Sequence, residues 1–169
     1  MPHHASLDTP LGRFVIVAND AGLTHIQPEG SPKLPSLEAA SSDRSRDHAE
    51  RGAAALAAYF DGCKDAFDAI ELAPAGSAFQ VRVWRALRDI PYGQTESYGQ
   101  LAARIDRPGA ARAVGTANHH NPIAIAVPCH RVIGTRGALV GYAGGLDRKR
   151  WLLVHEGALE PGLPFADER

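Results

Sequence analysis

The middle of the chain is divided into short helices by start and stop signals at close intervals. Two Ser-x-x-Gln capping boxes, Ser77–Gln80 and Ser97–Gln100, each predict a helix start. Pro and Gly interrupt the chain between the helical stretches, and the predicted helices cover residues 77–89, 98–105 and 110–119. The last two helices are separated only by the turn 106–109. Two short helices across such a turn are typical of a helix-turn-helix unit.

The first part of the chain predicts a small sheet with one helix. Residues 12–18 and 23–27 are rich in β-branched side chains and flank a turn cluster, so they predict a hairpin. An Ala-rich helix is expected over 43–60. Residues 64–72 fit a short edge strand, and His3-His4 is interpreted as a floppy terminus.

These signals favour an α+β fold in two domains. The prediction is a small N-terminal α/β domain over 1–76, with a hairpin-containing sheet and a helix. A mainly helical C-terminal domain with the helix-turn-helix follows over 77–169, and its last helix is expected to use Asp147 as N-cap. A chain of 169 residues is long enough to bury a sizeable core.

The net charge of −1 conceals an asymmetry between the two halves. Residues 1–78 contain 6 Lys/Arg and 11 Asp/Glu, whereas residues 79–155 contain 11 Lys/Arg and 4 Asp/Glu. A basic segment in a nearly neutral protein indicates a surface that binds a polyanion. A solvated, Arg-rich helix face explains the same charges, so composition alone leaves both interpretations open.

Composition excludes several classes of protein. Two cysteines exclude a disulfide-rich scaffold. The longest early apolar run, 14–18, is too short for a signal peptide or a membrane span, so no membrane partner is expected. We therefore expect a cytoplasmic protein in which both thiols stay reduced.

Cys129 is the residue with the clearest potential for chemistry. It follows the apolar run 123–127 and Pro128, and His130 and Arg131 come directly after it. A thiol in apolar surroundings is inert unless a base or a cation favours the thiolate, and an adjacent His that a carboxylate orients can be that base. The candidate carboxylates are Glu96, Asp147 and Glu156. Simple packing of a small buried Cys is the alternative interpretation.

No combination of residues predicts a metal or a nucleotide cofactor. Cys63 is remote from Cys129, and the neighbouring His119 and His120 are expected to face different ways at a helix end. Neither of the common Gly-rich phosphate motifs occurs. We therefore expect no metal and no cofactor. The glycines of GYAGG at 141–145 instead indicate a backbone that passes close to a flat ligand.

The segment AVPCHRVIGTRGALVGYAGGLDRKRWLLVHEG (126–157) resembles the active-site region of the O6-alkylguanine-DNA alkyltransferases. The resemblance extends back through FQVRVWRALRDIPYGQTESYGQLA and GAARAVGTANHHNP, so it covers about residues 77–157. The family, also called methylated-DNA–protein-cysteine methyltransferases, repairs DNA by direct reversal. The resemblance implies an irreversible, single-turnover transfer of an alkyl group, after base flipping, from O6 of guanine, and also from O4 of thymine, to a cysteine.

The resemblance assigns catalytic roles to four residues. Cys129 corresponds to the nucleophile that accepts the alkyl group, His130 to the base that relays its proton through a water, and Glu156 to the carboxylate that orients this His. Tyr98 corresponds to the residue that crowds a DNA phosphate, assists base rotation and meets the base in the pocket.

The resemblance also assigns DNA contacts. Arg112 corresponds to the finger that replaces the flipped nucleotide in the duplex. The small residues Ala111 and Gly115 would allow close approach to the DNA backbone, and Arg131 is expected among the DNA-binding residues. The implied partner is double-stranded DNA that carries O6-alkylguanine, bound by a monomer.

Five further positions are expected at the substrate pocket. Asn121 corresponds to a hinge between the DNA-binding unit and the active-site strand, and the Val132 backbone to the segment that reads the guanine amine. The remaining positions are the loop over the base, Tyr142 and Ala143, and a pocket-side cation, Lys149.

Two other function classes use some of the same residues. An alkyltransferase-like protein would bind lesions without repairing them, but those relatives lack the nucleophilic Cys that Cys129 supplies here. A cysteine hydrolase would use Cys129 and His130, and it would turn over repeatedly.

Overall fold

A computed structural model describes residues 2–36, 42–134, 141–142 and 144–162. The chain forms two compact units. The first combines described residues of 1–75 with 122–126, and the second combines described residues of 76–121 and 127–169. The observed architecture is α+β, with the sheet and one helix in the first unit and the shorter helices in the second.

In the first unit, the described residues form a three-stranded antiparallel sheet covered by one helix. Its strands β1 (His3–Thr9), β2 (Gly12–Asn19) and β3 (Gly22–Pro28) lie in sequence order. Helix α1 (Asp43–Phe60) packs on the sheet, and it begins with a capping box in which Ser42 and Ser45 bond each other's backbone N–H groups. The core of this unit includes the fully buried side chains Ile16, Val17, Leu23, Ile26 and Leu56.

The prediction of a floppy N-terminus is wrong. Residues of β1 pair with β2 in a continuous register from His3–Ala18 to Thr9–Gly12. Every second residue of β1 is exposed, and its sequence HHASLDT contains few apolar side chains. The hydrogen bonds to β2, rather than an apolar pattern, order this edge strand, which explains why the sequence does not reveal it.

The expected edge strand over 64–72 is also corrected. The described backbone there forms turns, and only Leu72 makes an isolated bridge to Leu23. Leu23 N–H donates to the Glu71 carbonyl at 2.9 Å, and Ala73 N–H donates to the Leu23 carbonyl at 2.7 Å. The contact with the sheet is therefore limited to the last residues of the segment.

Residues 122–126 belong to the first unit, which the predicted division at 76/77 does not anticipate. Ile26 N–H donates to the Pro122 carbonyl at 3.1 Å, and Ala124 N–H donates to the Ile26 carbonyl at 3.0 Å. A γ-turn follows, in which Ala126 N–H donates to the Ala124 carbonyl and Ile125 adopts a φ of 72°. A β-branched residue at positive φ is strained, so tertiary pairing holds this segment against its local preference.

The described residues of the second unit form four α-helices, a 3₁₀ turn and a two-stranded parallel ladder. The helices are α2 (Ala78–Arg88), α3 (Tyr98–Arg104), α4 (Ala111–His119) and α5 (Leu146–His155). The ladder pairs β4 (Glu96–Ser97) with β5 (Val132–Ile133). The predicted capping boxes at Ser77–Gln80 and Ser97–Gln100 are both confirmed, with reciprocal side-chain and backbone hydrogen bonds.

Helices α3 and α4 pack together across the predicted turn, in which Asp106 and Gly109 adopt positive φ angles of 59° and 87°. Trp84 on α2 donates its indole N–H to the Ala117 carbonyl on α4 at 2.9 Å. The prediction of Asp147 as N-cap is wrong, because α5 begins at Leu146 with Gly145 as its N-cap. No helix in the described ranges is long and apolar enough to cross a membrane.

Candidate active site and DNA-binding cleft

Cys129 begins a single turn of 3₁₀ helix (Cys129–Arg131) in the second unit. Pro128 before it has φ −80° and ψ 64°, and Cys129 N–H donates to the Val127 carbonyl at 2.8 Å, which makes an inverse γ-turn. Buried Asn121 donates its side-chain amide to the same carbonyl at 2.9 Å. Cys129 therefore lies in a tight turn that the Asn121 hydrogen bond fixes, and the residue is only 5% exposed.

A buried carboxylate joins the two residues that follow Cys129. Glu156 Oε1 lies 2.7 Å from His130 Nε2, and the guanidinium of Arg131 donates to both Glu156 oxygens at 2.9 Å. Arg131 also donates to the Ile90 carbonyl at 2.7 Å. Because a charged pair in low dielectric is costly unless its hydrogen bonds are satisfied, this arrangement is a strong constraint on the local fold.

The contacts within the cluster of His130, Arg131 and Glu156 determine which of these side chains carry charge. Burial opposes ionisation of Glu156, but the hydrogen bonds and charges of His130 and Arg131 outweigh it and hold the pKa of the carboxyl well below its usual range. Burial lowers the pKa of His130, Glu156 opposes this effect, and the charges of Arg131 and Lys149 add to it. The site therefore contains a carboxylate beside a neutral imidazole near neutral pH.

The tautomer of His130 follows from its partner. A carboxylate only accepts hydrogen bonds, so Nε2 carries the hydrogen and a neutral ring leaves Nδ1 as a lone-pair acceptor. Nδ1 is buried and has no hydrogen-bond partner among the described residues. The ring is therefore oriented as a base whose accepting nitrogen is unused within the described structure.

These pKa shifts predict that the protein loses stability on acidification. The folded pKa of His130 lies below the ordinary 6.5, so below that pH the unfolded chain binds more protons than the folded one. Glu156 adds a second loss of stability as pH falls through the range in which carboxyl groups titrate, because its pKa in the folded protein is also lowered. The free energy of unfolding in urea, measured from about pH 8 to about pH 5, should fall as pH falls.

A matched pair of variants isolates the contribution of His130 to the pH dependence of stability. Burial also lowers the pKa of half-buried His25 on β3. We expect His130→Gln to flatten the pH dependence below 6.5 and His25→Gln to leave the His130 contribution in place. An unchanged slope in His130→Gln would show that this imidazole is not held neutral.

Lys149 is fully buried on α5, and its ammonium donates to the Val132 carbonyl at 2.6 Å. Val132 N–H in turn donates to the Cys129 carbonyl. The cation expected at the pocket side thus anchors the backbone of the strand that follows the nucleophile. Its positive charge beside the cluster favours a neutral His130.

A cleft of about 640 Å³ opens in the second unit along α4. Four predicted residues line it, which are Tyr98, Ala111, Arg112 and Gly115. Arg112 is exposed, and none of the described lining residues is acidic. The cleft can therefore accept an anionic ligand against a helix of small side chains.

His119 and His120 also line the cleft, although the sequence predicted only that they face different ways at a helix end. His119 follows Arg112 by two helical turns, and Gly115 lies between them on the same face. Helical periodicity counted from Arg112 is the signal that could have found this face. His120 is anchored through Nδ1 to the Thr116 carbonyl at 2.7 Å.

Arg131 requires a correction. The sequence placed it among the DNA-binding residues, but its side chain is about 10% exposed and its guanidinium is engaged by Glu156 and Ile90. A guanidinium held in this way stabilises the site and is not presented to a phosphate.

Of the three candidate carboxylates for orienting His130, Glu156 is the one that contacts its ring. Glu96 instead pairs with Arg104 at 2.9 Å, and Asp147 is exposed on α5.

Tyr98 and the predicted pocket residues differ in burial and in their contacts. Tyr98 is partly buried, and its hydroxyl donates to the Gly141 carbonyl at 3.5 Å. Tyr142 is half-buried, and burial raises the pKa of its phenol well above the usual value. Asn121 is buried beneath the turn before Cys129 and does not line this cleft. Ala143 lies outside the described residues.

Asn118 is a site residue that the sequence did not reveal. It is 3% exposed on α4, and its side-chain nitrogen lies 3.4 Å from the Cys129 carbonyl. An Asn in a helix of small residues carries no signal of its own, because only the fold brings α4 against the 129–131 turn.

Known proteins resemble this chain over both units. Residues 78–158 match the family described as 6-O-methylguanine DNA methyltransferase, DNA binding domain, and residues 3–74 match its ribonuclease-like domain. A methylated-DNA–protein-cysteine methyltransferase of Mycolicibacterium paratuberculosis is 50% identical over 157 residues, 92% of this chain and 93% of the relative. One from Methanosarcina acetivorans is 43% identical over 157 residues, 92% of this chain and 99% of the relative.

Solved structures are similar as well. The crystal structure of the Mycobacterium tuberculosis O6-methylguanine methyltransferase has a TM-score of 0.76 and 42% identity, and the match covers 96% of each chain. The Mycobacterium tuberculosis protein in complex with DNA has a TM-score of 0.78 and 42% identity, over 92% of this chain and 93% of that one. The chain therefore belongs to the 6-O-methylguanine-DNA methyltransferase family, which confirms the resemblance and the α+β fold class.

Proposed function

We propose that this chain is a monomeric, cytoplasmic DNA-repair protein that removes alkyl groups from O6 of guanine, and from O4 of thymine, in double-stranded DNA. The alkyl group passes irreversibly to Cys129, so each molecule acts once. The observation that carries this proposal is the placement of a buried Cys directly before a neutral, carboxylate-oriented His, in the unit that contains the Arg112 cleft. The names and structures of the relatives support the same activity.

The reaction is a displacement at the alkyl carbon. The thiol proton of Cys129 passes through a water to Nδ1 of His130, and Glu156 stabilises the imidazolium that forms. The thiolate sulfur bonds to the alkyl carbon, the bond from that carbon to O6 breaks, and guanine leaves with the electron pair. A proton then neutralises the guanine, and Tyr98 is the proposed donor. The thioether product has no route to hydrolysis in this site, which makes the transfer stoichiometric.

Access to the lesion requires extrusion of the base. The alkyl carbon is unreachable inside a stacked duplex, and flipping a nucleotide costs a few kcal/mol, less for a damaged base. Arg112 on α4 lines the cleft and is exposed, so it can enter the space that the nucleotide leaves. The small residues Ala111 and Gly115 allow the DNA backbone to approach the helix closely.

Replacement of this arginine gives a direct prediction. Arg112→Ala is expected to slow transfer from lesion-bearing duplex by roughly tenfold or more, the equivalent of one charge-assisted hydrogen bond. Transfer from a single-stranded oligonucleotide with the same lesion should change less, because no extruded base needs replacement. Arg85→Ala, at an exposed position on α2, is the matched control and should leave both rates unchanged. Equal losses on duplex and single strand would contradict the finger role.

Intact mass after incubation with O6-methylguanine duplex tests the proposed function and separates the alternatives. The alkyltransferase gains one methyl group per molecule and repairs an equal amount of DNA. A lesion-binding protein gains nothing and repairs nothing, and a hydrolase releases repeated product while its own mass stays unchanged.

A further inference from the structure

Asn118 contacts the backbone of the nucleophile from α4. Its side-chain nitrogen donates to the Cys129 carbonyl at 3.4 Å, and the same carbonyl accepts Val132 N–H. The amide is 3% exposed. The backbone at Cys129 is therefore fixed from two sides, by its own turn and by α4.

The phenol of Tyr98 packs on α4 one helical turn from this amide. A Cβ atom at Gly115 would lie 3.7 Å from two carbons of the Tyr98 ring, so the ring packs over Gly115. Gly115 and Asn118 are three residues apart on one face of α4. Burial and the charge of Cys129 raise the pKa of Tyr98 to about 12, and a hydrogen bond from Asn118 opposes this rise.

The oxygen of the Asn118 amide makes no hydrogen bond with the described residues. This oxygen, Oδ1, is also buried. A buried polar atom without a partner reduces stability, and an apolar side chain of the same shape at this position would remove that cost. Fold stability therefore explains the N–H half of the amide, which bonds the Cys129 carbonyl, but not the buried oxygen.

We propose that Asn118 is a positioning residue for alkyl transfer, whose amide holds the Cys129 backbone and the Tyr98 hydroxyl in a fixed relation. This inference rests on the proposed function. The sulfur attacks the alkyl carbon on one side while the leaving guanine takes the Tyr98 proton on the other, so both groups must be placed together. The Tyr98 oxygen keeps the O–H electron pair, and it is reprotonated by the proton that His130 took from the thiol, through solvent. The Asn118 N–H stabilises the intermediate tyrosinate.

A double-mutant cycle tests this role. Single-turnover transfer from O6-methylguanine duplex is measured at saturating DNA for the parent, Asn118→Leu, Tyr98→Phe and the double variant, together with DNA affinity and the thermal midpoint. We expect Asn118→Leu to lower the saturating rate about tenfold, with affinity unchanged and a midpoint equal to or above that of the parent. Tyr98→Phe should lose about a hundredfold, and the double variant should be no slower than Tyr98→Phe alone.

Each other outcome overturns the inference. A rate of Asn118→Leu equal to that of the parent shows that the amide does not position the reacting groups, and losses that multiply in the double variant show that it does not act with Tyr98. A large fall in the thermal midpoint makes the amide structural. Asn118→Ser, which also lacks the amide, must repeat the rate loss. Absence of transfer by the parent itself would instead refute the proposed function.

Discussion

Cys129→Ser is expected to transfer no measurable alkyl group while it binds lesion-bearing duplex as tightly as the parent. A hydroxyl in this buried turn is a far weaker nucleophile than a thiolate, because an alcohol gives up its proton to an imidazole far less readily than a thiol does. The substitution changes one buried atom and leaves the cleft along α4 untouched. Intact mass after incubation and a titration of DNA affinity measure the two properties separately.

The second cysteine provides the matched control. Cys63 is exposed, and its thiol donates to the Asp65 carboxylate at 3.1 Å, an interaction that raises the pKa of the thiol above its ordinary value. Cys63→Ser should therefore transfer at the parent rate. Residual methylation of Cys129→Ser that disappears in the double variant would mean that Cys63 is the acceptor.

Glu156→Gln is expected to have the largest effect on folding. The buried carboxylate holds His130 at 2.7 Å and Arg131 through two contacts at 2.9 Å, so its loss leaves a buried guanidinium without its counter-charge. Breaking a buried pair in this way costs about 3–5 kcal/mol, and the His130 tautomer is no longer fixed. We expect the free energy of unfolding to fall by that amount and transfer to fall about a hundredfold or more.

Two variants distinguish this explanation from a general loss of charge. Glu160→Gln removes an exposed carboxylate nearby and should change neither property. Adding Arg131→Met to Glu156→Gln removes the stranded cation, so part of the stability should return while transfer stays low. Recovery of both, or of neither, would contradict the role assigned to the cluster.

Local signals in the sequence predicted the helices well. The capping boxes at 77–80 and 97–100 depend on side chains three residues apart, so the information needed is contained in the sequence itself. The block from Pro128 to Arg131 and its resemblance to a known family also indicated His130 and Glu156, which the structure brings into contact.

Features that depend on distant partners were not predictable in the same way. Strand β1 and residues 122–126 are ordered by pairing with β2 and β3, which no local pattern reports. Arg131 resembles any basic residue until its contacts with Glu156 are known, and that is why a DNA contact was expected for it. Asn118 acquires its neighbours only when α4 packs against the turn that carries Cys129.

Peptide mapping after a single incubation tests the central claim most directly. The protein is mixed with excess O6-methylguanine duplex, freed from DNA and digested, and the methylated peptide is sequenced by mass spectrometry. We expect one methyl group per molecule, located on the sulfur of Cys129 and unchanged on prolonged storage. An unmodified Cys129 in a sample that has repaired its DNA would contradict the account.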